Sequence, residues 1–99
     1  MTLSRDLFLG FVRLHILYHA GREPVYGLWL IEELGRHGYG LSAGTLYPML
    51  HSLEDEGLLV SEERVIRGRR RRYYTLTGYG ARALDEGRAH AAHFATRRL

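Results

Sequence analysis

The most informative segment of the sequence is Ser42–Leu59, SAGTLYPMLHSLEDEGLL. Four of its positions recur at spacings of four, three and four residues, namely Leu46, Leu50, Leu53 and Gly57. This is the spacing of one buried helical face, so it predicts a helix that starts at the N-cap Ser42 and is ended by Gly57 after about Glu56. Pro48 lies inside this helix, where proline removes a hydrogen bond and crowds the preceding turn.

The position of Pro48 indicates an exposed N-terminal end of this helix. On a helical projection, Gly44, Pro48 and His51 fall opposite the leucines. Burial of each leucine is worth roughly 1.5–3 kcal/mol, which can offset the bond that Pro48 cannot donate to the Gly44 carbonyl. The exposed N–H groups of a helix start favour phosphate. In an alternative interpretation, the helix simply begins later, with Thr45 as its N-cap.

The surrounding sequence predicts a helix-turn-helix followed by a hairpin. A preceding helix covers about Tyr26 to Arg36, and a short glycine-containing turn follows it. Its predicted inner residues are Leu28, Ile31 and Leu34. After Gly57 the period changes, and 58–66 and 70–76 are strand-like, with Gly68 suited to the turn between them. In the second strand Tyr74 aligns with Leu76, so we expect it to face inward.

Helices are also predicted at both ends of the chain, from Thr2 to about Ala20 and from Thr77 to about Arg97. The first has two adjacent apolar stripes, which is wide for a surface helix. One stripe is Leu3, Leu7, Phe11, Leu14 and Tyr18, and the other is Phe8, Val12 and Ile16. The inward positions of the last helix are mostly small: Gly80, Ala83/Leu84, Gly87, Ala91 and Phe94. Both patterns favour packing against a second copy.

Composition and charge narrow the class of function. A chain of 99 residues with 45% hydrophobic content suits one compact domain with a core. All 14 basic residues are arginine, and six of them lie within nine residues, 64–72, which indicates a polyanion partner or only a solvated surface. Cysteine is absent, so disulfides and thiolate metal sites are excluded. We expect a cytoplasmic protein without a membrane segment, a catalytic constellation or a cofactor.

Two motifs resemble the PadR family of bacterial winged-helix transcriptional regulators. The first matches the family pattern at Gly44, Thr45, Leu46, Tyr47, Pro48, Leu50, Leu53, Glu54, Gly57 and Leu58. The second matches at Arg70, Arg71, Tyr73, Tyr74, Leu76 and Thr77, and Tyr26-Gly27 fits as well. The sequence departs from the pattern at Leu28, where the family usually has tyrosine, and at an extra Gly78 beside the matched Gly80. The resemblance covers about residues 26–80, and the single C-terminal helix is similar to the short subfamily.

The resemblance implies a mostly helical fold with a small β hairpin: a winged helix-turn-helix, residues 1–77, and a C-terminal dimerisation helix, residues 78–99. It implies a homodimeric repressor that binds double-stranded DNA at an inverted repeat in the bacterial nucleoid, and release by a small hydrophobic or aromatic effector whose site we leave unknown. The predicted DNA-binding residues are Ala43, Gly44, Thr45, Tyr47, Pro48, His51, Arg67, Arg69, Arg70 and Arg71. The predicted dimerisation residues are Leu3, Leu7, Phe11, Leu84, Ala91 and Phe94.

Several alternatives stay open from the sequence. Tyr47 can pack against the first helices instead of contacting DNA, and Trp29 can belong to the core or to an effector pocket. His15 and His19, and likewise His90 and His93, have the spacing of a metal pair, but without a carboxylate or cysteine in the pattern we predict no metal site. A different function, a winged-helix module that binds proteins and not a specific DNA sequence, would leave the arginine hairpin without a role.

Overall fold

The computed structural model describes residues 2–96. It contains four helices and one antiparallel hairpin, in the order α1 Leu3–Arg22, α2 Gly27–Arg36, α3 Ala43–Asp55, β1 Leu59–Ile66, β2 Arg69–Leu76 and α4 Gly78–Thr96. The predicted element order and fold class are confirmed, with bounds that differ by one or two residues. The predicted end of the last helix, near Arg97, lies outside the described residues.

Helix α1 buries only one of its two apolar stripes. Thr2 caps the helix by accepting a hydrogen bond from the Arg5 backbone N–H at 3.1 Å. Val12 and Ile16 are fully buried and Phe8 packs partly against the core, whereas the exposed stripe consists of Leu3, Leu7, Phe11 and Tyr18. One face of helix α1 therefore packs against the core of its own domain, and a second apolar face remains exposed to solvent.

The predicted inner face of helix α2 is wrong at Leu28, whereas Leu34 is buried and Ile31 packs partly against the core, as predicted. Leu28 is 51% exposed, whereas Leu30 and Leu34 are fully buried. The prediction for Leu28 was wrong because residues 28–31 are all apolar and carry no periodicity. Gly27, at the start of the helix, is buried beneath the Tyr47 side chain.

Helix α3 starts at Ser42, not at the later cap considered from the sequence. The Ser42 hydroxyl accepts a hydrogen bond from the Thr45 N–H at 3.3 Å, and Pro48 lies within the helix. At the other end, Gly57 adopts φ +80° and donates to the Glu54 carbonyl at 2.9 Å, while Leu58 N–H donates to the Leu53 carbonyl at 3.0 Å. This is a Schellman motif, which requires a left-handed residue that glycine adopts without strain.

The hairpin has a two-residue turn and a short third partner. Ile66 faces Arg69 across the turn, and Arg67 and Gly68 have φ values of 53° and 77°. Positive φ at both central residues defines a type I′ turn, whose twist matches that of the strands. On the other side of β2, Val25 exchanges backbone hydrogen bonds with Tyr74 at 3.0 and 2.7 Å. Tyr74 is buried, as predicted from its alignment with Leu76.

Helix α4 is fastened to the domain at its first turn. The Thr77 hydroxyl accepts from the Gly80 N–H at 2.9 Å and donates to the Gly57 carbonyl at 2.6 Å. Further along, a Cβ at Gly87 would lie 2.5 Å from Leu14 Cδ2, so the missing side chain lets α4 approach α1 closely. Leu84 is buried between them, whereas Phe94 near the end of the helix is exposed. The first half of α4 thus packs on the domain and its last turns extend beyond it.

Candidate nucleic-acid interface

The N-terminal end of α3 is exposed at the residues predicted to contact DNA. Ala43, Gly44, Pro48 and His51 are exposed, and Thr45 is half-buried. A Cβ at Gly44 would meet only the Ser42 hydroxyl, at 3.8 Å. The backbone of the first turn is therefore open to a close approach by another molecule. Backbone N–H groups at a helix start attract phosphate, and hydroxyls can contact phosphate or base edges.

Tyr47 combines packing with exposure. Its ring lies over Gly27, where an added Cβ would fall 2.5 Å from Tyr47 Cζ. The same side chain is 41% exposed. The packing role considered from the sequence is therefore present, and the side chain still reaches solvent.

The hairpin formed by β1 and β2 is the wing of this fold. Its arginines that were predicted to contact DNA divide into two groups. Arg67, Arg69 and Arg70 are exposed at the tip of the hairpin, and Arg70 forms an ion pair with Glu63 at 3.3 Å. Arg71 is half-buried, with its guanidinium carbon 4.1 Å from the centroid of the Tyr26 ring. The tip offers cations to solvent, whereas Arg71 is held by an aromatic face.

A row of stacked side chains connects this face of the wing to the start of α2. Tyr26 meets Tyr73 edge to face at 5.4 Å between ring centroids. The Arg64 guanidinium lies 5.2 Å from the Tyr73 ring. Such aromatic and cation–π contacts favour one side-chain arrangement over a mobile one.

A polar cluster that the sequence did not predict connects the other face of the wing to α3. Both oxygens of Glu54 accept hydrogen bonds from the Ser61 hydroxyl, at 2.9 and 2.8 Å, and the Ser61 N–H donates to Glu54 Oε2 at 3.1 Å. Arg72 donates to the Ser61 hydroxyl at 3.2 Å. Glu54 is part of the first family motif, but no feature of the sequence indicated Ser61 in β1 as its partner. The cluster fixes the hairpin against α3.

Comparison with known proteins identifies the family. Residues 16–86 match the model of the transcriptional regulator PadR-like family, which is more than half of the chain. This chain belongs to the PadR-like family of transcriptional regulators. The transcriptional regulator Rv3488 of Mycobacterium tuberculosis is 61% identical over 84 residues, which cover 85% of this chain and 78% of that protein.

Solved structures of PadR-family proteins have the same winged-helix fold. A PadR family transcriptional regulator from Eggerthella lenta superposes with a TM-score of 0.82 at 35% identity, covering 94% of this chain and 82% of the other. A PadR-like transcriptional regulator from Bacillus cereus gives 0.84 at 30% identity, covering 92% and 90%. The predicted family, fold class and role in transcription regulation are confirmed.

This PadR-family chain also exposes four of the six apolar residues predicted for dimerisation. Leu3, Leu7 and Phe11 on α1 are 74%, 53% and 43% exposed, and Phe94 on α4 is exposed as well. Leu84 is buried within the domain, and Ala91 is half-buried. Apolar side chains that follow one helix face and remain in water are typical of an interaction surface. Among residues 2–96, no helix is long and apolar enough to cross a membrane.

A groove of about 480 Å³ lies between α1 and α4 of this PadR-family chain. Its lining combines apolar and aromatic side chains with imidazoles and one arginine: Phe11, Leu14, His15, Tyr18, His19, His37, Leu84, Arg88 and Ala91. A volume of this size is typical of small-molecule sites. Trp29 does not line the groove and packs partly against the core. Its ring meets the His19 ring edge to face, with 5.4 Å between the ring centroids.

Two imidazoles of this groove, His15 and His19, have pKa values that favour the neutral form. Burial, followed by repulsion from His37, lowers the pKa of His15 below its usual range. Burial is also the main cause that lowers the pKa of His19. Hydrogen bonds from Arg36 and then His37 lower the pKa of the Glu33 carboxyl. The His15 ring stacks with the rings of His19 and His37, at 6.5 and 6.4 Å between centroids. Residues 2–96 contain no group of side chains suited to holding a metal ion.

Proposed function

We propose that this PadR-family regulator is a homodimeric repressor that binds an inverted repeat through the α3 N-terminus and the wing. The proposal depends on one observation: the α3 N-terminus and the wing both pack against two adjacent residues at the start of α2. Tyr47 of α3 packs on Gly27, and Arg71 of the wing packs on Tyr26. The open first turn of α3 suits the major groove, and arginines at the tip of a wing suit phosphates or a narrow minor groove.

The dimer is proposed to form through the exposed face of α1 together with α4. Leu3, Leu7, Phe11, Leu84, Ala91 and Phe94 are its assigned residues. Two copies related by a two-fold axis would read half-sites about 34–36 Å apart, one helical turn of DNA. In this arrangement residues 1–77 form the DNA-binding unit and residues 78–99 serve dimerisation, with the regulator acting in the bacterial nucleoid.

The wing assignment is tested by the salt dependence of DNA binding. Arg69→Ala and Arg70→Ala each remove one phosphate contact per protomer, so we expect the slope of log K against log salt to fall by about 2 per dimer. Affinity should weaken for all sequences alike. The matched control is Arg82→Ala, because Arg82 lies on α4 over Tyr79 and away from the wing. An unchanged slope would assign the arginine tip to solvent.

Selection of bound sequences from a random DNA pool tests the function itself. We expect the wild-type protein to enrich a two-fold symmetric sequence, and expression of a reporter under that sequence to fall when the regulator is present. Enrichment of no sequence above the background, together with tight association with another protein, would support the protein-interaction module instead.

We further propose that the groove between α1 and α4 takes a small hydrophobic or aromatic effector that releases the DNA. Its apolar walls, together with His15 and His19, whose pKa values are lowered by burial, suit an uncharged planar ligand. The groove shares Phe11, Leu84 and Ala91 with the assigned dimer surface. A ligand there would therefore affect how two copies pair.

The effector proposal is tested by the fluorescence of Trp29, the single tryptophan, which contacts the groove residue His19. Titration with a panel of uncharged aromatic compounds should produce saturable quenching by at least one of them. Ala91→Leu fills the groove and should weaken that binding at least about ten-fold. Ala92→Leu is the matched control, because Ala92 is exposed and does not line the groove. Equal binding by both variants would place the ligand elsewhere.

A further inference from the structure

Two consecutive residues at the start of α2, Tyr26 and Gly27, touch both of the elements assigned to DNA. Gly27 lies under Tyr47 of the recognition helix, and Tyr26 lies under Arg71 of the wing. Neither residue was assigned a role in DNA binding. Their position is fixed from a third side, because the preceding residue, Val25, exchanges two backbone hydrogen bonds with Tyr74 in β2.

The contact at Gly27 depends on the absence of a side chain. A Cβ there would lie 2.5 Å from Cζ and 2.6 Å from Cε1 of Tyr47, both well inside van der Waals contact. Tyr47 is partly exposed, so its ring could swing outward to make room. The hydroxyl would then leave its present place over Gly27, at the start of α2. Gly27 therefore determines where Tyr47 points.

The contact at Tyr26 depends on the presence of a ring. The Arg71 guanidinium lies 4.1 Å from the ring centroid, which is close for a cation–π pair. Tyr73 supports the same ring at 5.4 Å from its side. An arginine on a long flexible chain is thereby held in one direction before DNA arrives, which reduces the entropy lost on binding.

We propose that the Tyr26-Gly27 dipeptide is a positioning element that sets the recognition helix and the wing at one fixed spacing for DNA. Gly27 acts through Tyr47, and Tyr26 acts through Arg71. This inference rests on the proposed function, because it assumes that α3 and the wing contact the same DNA duplex.

The first test is a double-mutant cycle between Tyr26 and Arg71, measured as affinity for the selected DNA sequence. Tyr26→Ala should weaken binding about three-fold to five-fold, the range of an exposed cation–π contact. In an Arg71→Ala background it should cause no further loss, whereas in an Arg70→Ala background the two losses should multiply. Tyr26→Phe keeps the ring and should bind as the wild type does. A loss with Tyr26→Phe, or losses that multiply with Arg71→Ala, would overturn the role of Tyr26.

The second test is a cycle between Gly27 and Tyr47. Gly27→Ala should reduce specific affinity about ten-fold while leaving non-specific binding unchanged. In a Tyr47→Ala background it should have no further effect. Gly35→Ala is the matched control on the same helix, because a Cβ there meets no atom within 4 Å, and its DNA affinity should stay at the wild-type value. Wild-type affinity for Gly27→Ala would overturn the role of Gly27.

Measurements on the wild-type protein distinguish failure of the proposed function from failure of the positioning role of Tyr26-Gly27. If it selects no DNA sequence, the proposed function fails before any variant is compared. If it selects a sequence and both cycles are additive, the proposed function stands and the positioning role of the dipeptide is rejected. Thermal melting of every variant confirms that the affinities compare folded proteins, because a purely structural loss would lower the melting temperature.

Discussion

A double variant, Leu7→Glu with Phe11→Glu, is expected to be a folded monomer that binds the selected DNA at least about 100-fold more weakly, because the second half-site no longer adds avidity. The two side chains are 53% and 43% exposed, so the domain itself does not need them. In a dimer, each buried side chain of this size contributes roughly 1.5–3 kcal/mol, and a buried carboxylate would add a desolvation cost.

Sedimentation equilibrium measures whether the variant associates, and circular dichroism measures whether it is folded. Arg5→Glu is the matched control, because Arg5 lies on the opposite side of α1 from Leu7 and the net charge changes by the same two units as in the double variant. That variant should remain dimeric. A wild-type protein that sediments as a monomer, or a double variant that still pairs, would remove α1 from the dimer surface.

The largest effect on stability is expected for Gly80→Ala. A Cβ at Gly80 would lie 2.7 Å from Leu76 Cδ1 and 3.0 Å from the Leu58 carbonyl carbon, and it would clash with the Leu58 oxygen. That oxygen cannot shift freely, because it accepts hydrogen bonds from the Thr77 N–H and hydroxyl, both at 3.2 Å. We expect a loss of about 3 kcal/mol or more, which lowers Tm by roughly 12–24 °C for a domain of this size.

Thermal and urea unfolding at one fixed protein concentration provide the measurement, because Tm of a dimer depends on concentration. Gly78→Ala serves as the control: it lies two residues earlier in α4, and its Cβ would meet no atom within 4 Å. This variant should be neutral or stabilised by up to about 1 kcal/mol. A Gly80→Ala protein that melts with the wild type would show that the junction relaxes without cost.

The sequence predicted those parts of the fold that have a local physical signature. The leucine spacing of α3 and the stop at Gly57 depend on helix geometry, and the inward direction of Tyr74 follows from the two-residue period of a strand. The inner face of α2 had no such signature, because residues 28–31 are uniformly apolar. The Val25 partner of β2 is a single residue, too short for any pattern.

The candidate site was predictable in its residues but not in their contacts. The exposed α3 end and the arginine tip follow from motif and composition. Arg71, however, is separated from Tyr26 by more than forty positions, and His15 from His37 by more than twenty. No local spacing indicates contacts between residues so distant in sequence. The same holds for Tyr47 above Gly27, since a glycine at a helix start has many possible causes.

The turn of the hairpin places an arginine where the backbone prefers another residue. Arg67 adopts φ +53°, a left-handed conformation that costs a residue with a Cβ about 1–2 kcal/mol and that asparagine or glycine tolerates better. Selection for heat resistance alone would therefore replace Arg67 early. Under the proposed function, regulators recovered from such a selection would tolerate higher temperatures but bind DNA more weakly, because each wing would lose one arginine that we propose contacts DNA.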